Sequence, residues 1–597
     1  MTTTELTGAE DVAWNLSDLY ESGDDPRLES DVDEAESAAA AFRNRYHGEV
    51  AGLDAAALVA AIEERERIES VFTRAIYYAH LWFATDMTDS QRGALVAHLT
   101  EKGAAVETQL LFFSLELADL GDEAAEALLA DAALERWQHW LRSVRKYRPY
   151  LLSEPEEKIM TEKVVSGFAA WDRLYDELLG AIKVDLDGEE IGFEEAMSKL
   201  YSPDRDLRGR ASEAVTAALE PGARTRTYVF NTIAVDRSID DRLRGHETWI
   251  SARNLANDTT DEAVQALIDA VVSRYDVVRR YYTLKARLLG LERLSFYDRM
   301  APLAEDPEQM AWDEARELVV NAFADFSSET GGIVERFFGE AWIDAPPRDG
   351  KRPGAFCATN VPGVHPYVFL NYTGDRRSVL TLAHELGHGL HGYLAAPLGL
   401  FNASTPLTTA ETASVFGEAL TFKRLLAEED DPKRRLNLLA GRIEDSIATI
   451  YRQVAMNRFE DAVHTWRRDE GELSPEKFEE LWLGTQADMF GDSVDIEGYG
   501  SWWSYIPHFI GTPGYVYAYS YGCLFALSIF RKYELEGDSM VEPYLDLLRA
   551  GGSKPPAELA EMVGLDLTNP DIWSSGIDAL EAELDEAEAL ANEVGLG

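Results

Sequence analysis

The sequence predicts a mainly α-helical protein with one small β element, on three observations. Apolar residues recur at three- and four-residue steps along most of the chain, the repeat of a helix face. Strand-like alternation is scarce, its best case being HPYVFLNY at 365–372. No internal repeat of fixed period and no low-complexity linker interrupts the helical segments.

Two segments show the helical pattern most clearly, Asp89–Leu117 and Asp261–Leu289. Each starts at an aspartate, suited to an N-cap or to a first turn facing the positive end of the helix dipole. Breakers fall at SPDRD (202–206), EPGA (220–223), APPRDGKRPG (345–354) and GTPG (511–514). The expected organisation is an N-terminal helical region over residues 1–200 and a larger helical region over 201–597. The closing stretch DALEAELDEAEALANEV (578–594) has ordinary amphipathic spacing. The longest nearly apolar run, Tyr515–Phe530, carries four tyrosines and falls short of the roughly 20 residues of a membrane helix. A buried helix or cleft wall is expected there.

Charge narrows the partners. Lys+Arg 56 against Asp+Glu 107 gives a net charge of −51. Such a chain repels nucleic acid and anionic membranes, so neither is an expected partner. The acids are spread rather than massed in a tail, and arginine outnumbers lysine. That distribution fits a salt-adapted organism, since self-repulsion is screened where the Debye length falls to about 3 Å at 1 M. The two cysteines, Cys357 and Cys523, argue against a disulfide framework and suit a reducing cytoplasm. The N-terminus has no basic patch followed by an apolar run, so no secretory signal is expected.

The segment TLAHELGHGLHGY at 381–393 places three of the chain's 11 histidines within one short run. His384 and His388 bracket Glu385 as H-E-x-x-H. On a helix, positions i and i+4 share a face, so both imidazoles reach one cation at the ~2.0–2.1 Å of a Zn–N bond. Glu385 lies about 100° round the helix, beside the cation, where it takes a proton from water. Gly387 and Gly389 weaken the helix but permit close approach of a neighbouring backbone. The all-histidine pattern needs Gly at 391 and His at 394, where this chain has His391 and Leu394. His391 also sits about 5 Å farther along the axis, which makes it a packing or supporting residue.

A carboxylate from a second segment is the other source of a third ligand. PLTTAETASVFGEALTFKRLLAEE (406–429) predicts a helix capped by Thr408 or Thr409, with Glu411 and Glu418 seven apart on one face. Glu411 is the better ligand candidate, flanked by small Ala410, Thr412, Ala413 and Ser414. Glu418 is placed to orient a ligating imidazole. Two imidazoles and a carboxylate suit Zn2+, one per chain.

HELGH, followed 27 residues after its first histidine by ETASVFGE, resembles the M3 family of zinc metallopeptidases, and most of all its oligoendopeptidase F-type members. WNLSDLY near the N-terminus, GKRPGAFC (350–357), PYVFLNYTG (366–374) and HFIGTPGYVYAYSYG (508–522) extend the likeness in order, from about Trp14 to about Ile577. The resemblance implies a large helical ellipsoid with a deep internal channel and a small β-sheet beside the HExxH helix. Residues 1–200 then cover the channel and 201–597 form the catalytic region. It implies zinc on His384, His388 and Glu411, with Glu385 as general base. It also implies that His508 and tyrosines of the glycine-containing loop contact the substrate carbonyl. The tyrosine spacing departs from that of thimet-type members. Tyr515 and Tyr519 share a face in either helix or strand and are favoured over Tyr517.

The implied activity is zinc-dependent endopeptidase cleavage of short unfolded oligopeptides, without a covalent intermediate. HPYVFLNY is then a candidate edge for pairing with an extended peptide. Two alternatives compete: a zinc carboxypeptidase or dipeptidyl carboxypeptidase of similar helical fold, and a non-catalytic metal-containing peptide-binding protein. Glu385 argues against the last, because a structural site needs no base. The spread negative charge predicts a melting temperature that rises between dilute buffer and molar KCl; an unchanged value counts against salt adaptation.

Overall fold

Helices begin where the sequence supplies caps. In the computed structural model, which describes residues 6–303, 309–359 and 363–595, Asp25, Asp54 and Asp89 each accept an N–H from the first turn of the helix that follows. They open the helices Pro26–Tyr46, Ala55–Ala84 and Ser90–Asp119. Such caps are worth about 1 kcal/mol each. The inward faces of these helices meet in one cluster that includes Phe42, Leu58, Ile62, Leu110 and Phe113.

The second periodic segment is two helices rather than one. Thr260 caps Asp261–Ser273, with Asp261 in the first turn, and Tyr275–Leu288 follows. The break is at Arg274, whose backbone leaves the helical region (φ −115°, ψ 29°). Its guanidinium pairs with Asp578 and Glu581 on the helix Asp571–Glu593. Helical periodicity runs straight through such a break because both pieces bury the same kind of face.

The mainly α architecture carries three small sheets among the described residues. They are a hairpin of β1 (Lys183–Leu186) and β2 (Glu189–Gly192), a parallel pair of β3 (Leu294–Ser295) and β7 (Val494–Asp495), and a three-stranded sheet. The last is formed by β4 (Ile343–Asp344), β5 (Phe356–Ala358) and β6 (Tyr367–Phe369), in the order β4–β6–β5. β6 is the strand expected to offer an edge to a peptide. It is instead interior, parallel to β4 and antiparallel to β5. Both its backbone edges are taken, so it cannot accept a further strand.

The chain divides into two compact units. The first draws on Met1–Arg148, Pro307–Leu425 and Lys532–Asp566, and the second on Pro149–Asp306, Leu426–Arg531 and Leu567–Gly597. In the first unit the WNLSDLY segment serves the three-stranded sheet. Trp14 packs edge-on against Tyr367 and also meets Phe369, and flanking backbone bonds join Asn15 to Ala341 and Ala345 to Val12. Lys351, from the breaker run, is buried. Its ammonium pairs with Asp344 at 2.6 Å and donates to the carbonyls of Pro346 and Leu370, each at 2.8 Å. It thus ties together the ends of β4 and β6.

The second unit contains a rod built from Pro432–Ser446, a π-helical turn Ile447–Tyr451, and Arg452–Asp469. The apolar run forms the helix Tyr517–Glu536, buried from Tyr517 to Phe530 except at Tyr519. No described helix is long and apolar enough to cross a membrane. The acidic C-terminal helix buries Leu580, Leu584, Ala587 and Ala591, and its outer acids clasp Arg280 through Glu581, Asp585 and Glu588. Removing the ammonium with Lys351→Met leaves Asp344 and two carbonyls buried with fewer partners, and is expected to lower unfolding stability by about 3 kcal/mol, as read by denaturant titration.

Candidate metal centre

Asp375 caps the helix Arg376–Ala395 by accepting the N–H of Ser378 at 2.7 Å. Val379, Leu382, Ala383, Leu386 and Leu390 bury its core face. This fixes His384 and His388 one turn apart, with ring centroids separated by 5.0 Å.

The segment carrying Glu411 differs from the single capped helix expected. Thr408 and Thr409 lie inside a four-residue helix, Leu407–Ala410, and a longer helix starts only at Ser414. The hydroxyl of Thr412 donates to the Thr409 carbonyl at 2.7 Å and that of Ser414 to the Glu411 carbonyl at 3.1 Å. Such local side chain–backbone bonds compete with helix continuation. Tyr544 pins the break by donating to the Thr412 carbonyl at 3.1 Å.

Close approach at this break places the third donor. A Cβ on Gly387 would collide with the Ala413 carbonyl and lie 2.6 Å from Ser414 Cα. With no side chain there, Glu411 Oε2 comes to 3.4 Å from His384 Nε2 and 3.5 Å from His388 Nε2. One donor atom from each of the three residues lies within 4.8 Å of the others, a grouping that fits one metal ion held by two imidazoles and a carboxylate. Ser414 donates to the same Glu411 oxygen at 2.6 Å. Glu418 bonds the far nitrogen of His384, Nδ1, at 3.2 Å, as carboxylates do behind metal-ligating histidines.

Electrostatics separates the groups. Burial pulls the His384 imidazole down, but the Glu418 bond and the Glu411 charge outweigh it and raise its pKa to about 9. Burial lowers His388 against the opposing charge of Glu411. Burial, reinforced by Glu411, raises Glu385 to about 7 in spite of His384. Glu385 is 7% exposed, and its Oε2 has no hydrogen-bond partner among the described residues. Its ring of neighbours makes a cavity of about 350 Å³ with Phe356, Cys357, Thr359, His388 and His391 on its walls. His391 stands outside the donor group, buried, its Nε2 without a hydrogen-bond partner among the described residues.

The remaining candidates form a cluster of their own in the second unit. His508 Nε2 lies 3.3 Å from the Tyr519 hydroxyl, His508 stacks on Tyr515, and the Tyr515 and Tyr519 rings meet edge to face at 4.9 Å. Tyr517 is buried, its hydroxyl engaged by Asn254 and Asn257. Sequence reasoning took Ser414 only as a small neighbour of Glu411 and missed the bond of its hydroxyl to that carboxylate. It also did not place Cys357 and Thr359 on the cavity wall, Cys357 showing only as the last residue of GKRPGAFC.

Comparison with known proteins agrees in order and extent. The family model for peptidase family M3 matches residues 320–579, and that for oligopeptidase F matches residues 116–183. Oligopeptidase PepF of Bacillus subtilis is 27% identical over 98% of this chain and 88% of its own length. An oligoendopeptidase F homolog of Borreliella burgdorferi is 26% identical over 85% of this chain and 87% of its own. Among solved structures, one from Chlamydophila abortus superposes with a TM-score of 0.86 at 23% identity, covering 98% of this chain and 99% of that one. Oligoendopeptidase-F from Enterococcus faecium gives 0.71 at 23% identity, over 95% and 98%. A His–His–Glu donor set, the peptidase family M3 model over residues 320–579, the oligopeptidase F model over residues 116–183 and relatives matched along most of the chain converge: the chain is similar to the oligoendopeptidase F-type members of peptidase family M3.

Proposed function

We propose that this metalloendopeptidase uses one zinc ion to hydrolyse short, unfolded oligopeptides, with Glu385 as general base. The observation that carries the reading is the meeting of His384, His388 and Glu411 beside Glu385, whose Oε2 has no hydrogen-bond partner among the described residues, at the wall of a cavity. His–His–Glu sites with room for water suit Zn2+. Bound there, the ion would polarise the attacking water and the scissile carbonyl. The names of the relatives, oligopeptidase and oligoendopeptidase, support the substrate class. The thiols Cys357 and Cys523 suit work in a reducing cytoplasm.

Glu385 takes the proton of the attacking water. A carboxyl held near 7 both accepts and returns protons at neutral pH, so the same group then protonates the leaving amine. Glu418 bonds His384 Nδ1 and leaves Nε2 turned toward Glu411, where it would hold the ion. By the resemblance, His508 with Tyr515 or Tyr519 donates to the developing oxyanion, where a lost donor typically costs ~100–1000-fold in rate. Tyr517 is set aside because its hydroxyl already has partners. The strand beside the cavity is β5, which pairs only with β6 among the described residues. A peptide laid along its other edge would be held through its main chain, which tolerates many sequences.

Cleavage mapping in a peptide library, with and without chelator in high salt, tests the activity. Hydrolysis of peptides blocked at both ends is expected, and cutting restricted to a free terminus would instead establish an exopeptidase. Glu385→Gln is expected to keep its zinc by metal analysis while kcat falls by about 100- to 10,000-fold; undiminished turnover would remove Glu385 as the base. Gly387→Ala should push the Glu411 segment away and lose both zinc and activity. A variant that binds zinc normally would show that the close approach is dispensable.

A further inference from the structure

The segment Pro513–Tyr521 divides its residues between two tasks. Gly514, Tyr517 and Ser520 anchor it within the second unit. The Gly514 N–H donates to Glu460 Oε1 at 2.8 Å. The Tyr517 hydroxyl donates to Asn254 at 2.6 Å and accepts from Asn257 at 2.9 Å. Ser520 Oγ donates to the Ile450 carbonyl at 2.8 Å, inside the π-helical turn, where the shifted ladder leaves carbonyls for outside donors. Tyr515 and Tyr519, left half-buried by these anchors, gather with His508.

Glu460 is the unexpected anchor. It is fully buried on the helix Arg452–Asp469, and its second oxygen has no hydrogen-bond partner among the described residues. Burial drives its carboxyl up to about 8 against the Gly514 amide and the charges of Arg237 and Arg253, so near neutrality it presents a carbonyl-type acceptor. An apolar side chain of that volume would fill the space without an orphaned polar atom. It would leave the Gly514 N–H without an acceptor, at a turn that only glycine suits. Gly514 has φ +76°, and a Cβ there would lie 2.6 Å from Ile250 Cδ1.

We propose that Glu460 is a positioning residue for peptide hydrolysis, its carboxyl oxygen fixing Gly514 and thereby the turn from which His508, Tyr515 and Tyr519 are presented. This rests on the reading that those three contact substrate. Glu460 touches no reacting atom; it acts through the backbone of the turn.

The test compares Glu460→Leu with Glu460→Gln in the full-length zinc-loaded enzyme. The glutamine retains a neutral acceptor for Gly514 and is expected to keep kcat within about threefold of wild type. The leucine is expected to lower kcat about 100-fold, the scale of a misplaced catalytic group, with KM and zinc content unchanged. Amide exchange over residues 511–517 should be slow in wild type and the glutamine variant and fast in the leucine variant. Leucine turnover equal to wild type, or a glutamine variant as impaired as the leucine, overturns the proposal. If the leucine variant does not fold, fast exchange at Gly514 in the wild type does so. Absence of metal-dependent hydrolysis in the wild type would defeat the parent reading instead, and the exchange data would still report whether Glu460 holds the turn.

Discussion

Two backbones touching at Gly387 set the geometry on which the metal centre depends. The histidine helix and the Ala413–Ser414 backbone approach until no β-carbon fits between them. That distance lets a side chain as short as glutamate reach the imidazole pair from a different segment. It also explains why Glu411 sits in a break rather than in a helix. At the break its carboxylate is steered by Ser414, and the neighbouring carbonyl is pinned by Tyr544. A donor set fixed in advance loses little conformational entropy when an ion arrives, and its ligands need not be drawn from solution-like rotamers.

The centre gathers three carboxylates, Glu385, Glu411 and Glu418, around two imidazoles. In a chain of −51 this is not an extension of the surface charge. The surface acids are solvated or face arginines such as Arg280. Those of the centre are largely withdrawn from water and differ in state: Glu411 is held charged by the histidines, whereas Glu385 is pushed toward neutrality. In the proposed reading one residue type serves as ligand, orienting group and proton carrier, and the distinction is made by neighbours and burial.

Much of this was legible in the sequence, and the unreadable part has a physical pattern. HELGH places two imidazoles and a carboxyl beside them by helix geometry alone, and the small residues around Glu411 announce a close contact. The aspartate caps at 25, 54 and 89 are local chemistry of the same kind. What escaped is decided between distant segments. The breaks at Arg274 and at 411–413 are invisible to periodicity because the apolar pattern continues across them. The interior place of β6 depends on β4 and β5, whose two- and three-residue lengths are too short to show alternation. Glu460 reads as one more acid among 107 until Gly514 is brought against it.

The way the chain is shared between the two units has a consequence for biosynthesis. Each unit is assembled from three separated stretches, with boundaries near residues 148, 306, 425, 531 and 566. The sheet beside the histidines needs Trp14, about 350 residues earlier, and the Glu411 break needs Tyr544, about 130 residues later. A ribosome releasing residues in order therefore emits a histidine pair long before the tyrosine that steadies its carboxylate partner. Such remote pairings are slow to close. The nascent enzyme stays without a finished centre until residue 544 has emerged, more than 150 residues after the histidine pair, which delays the appearance of a working protease.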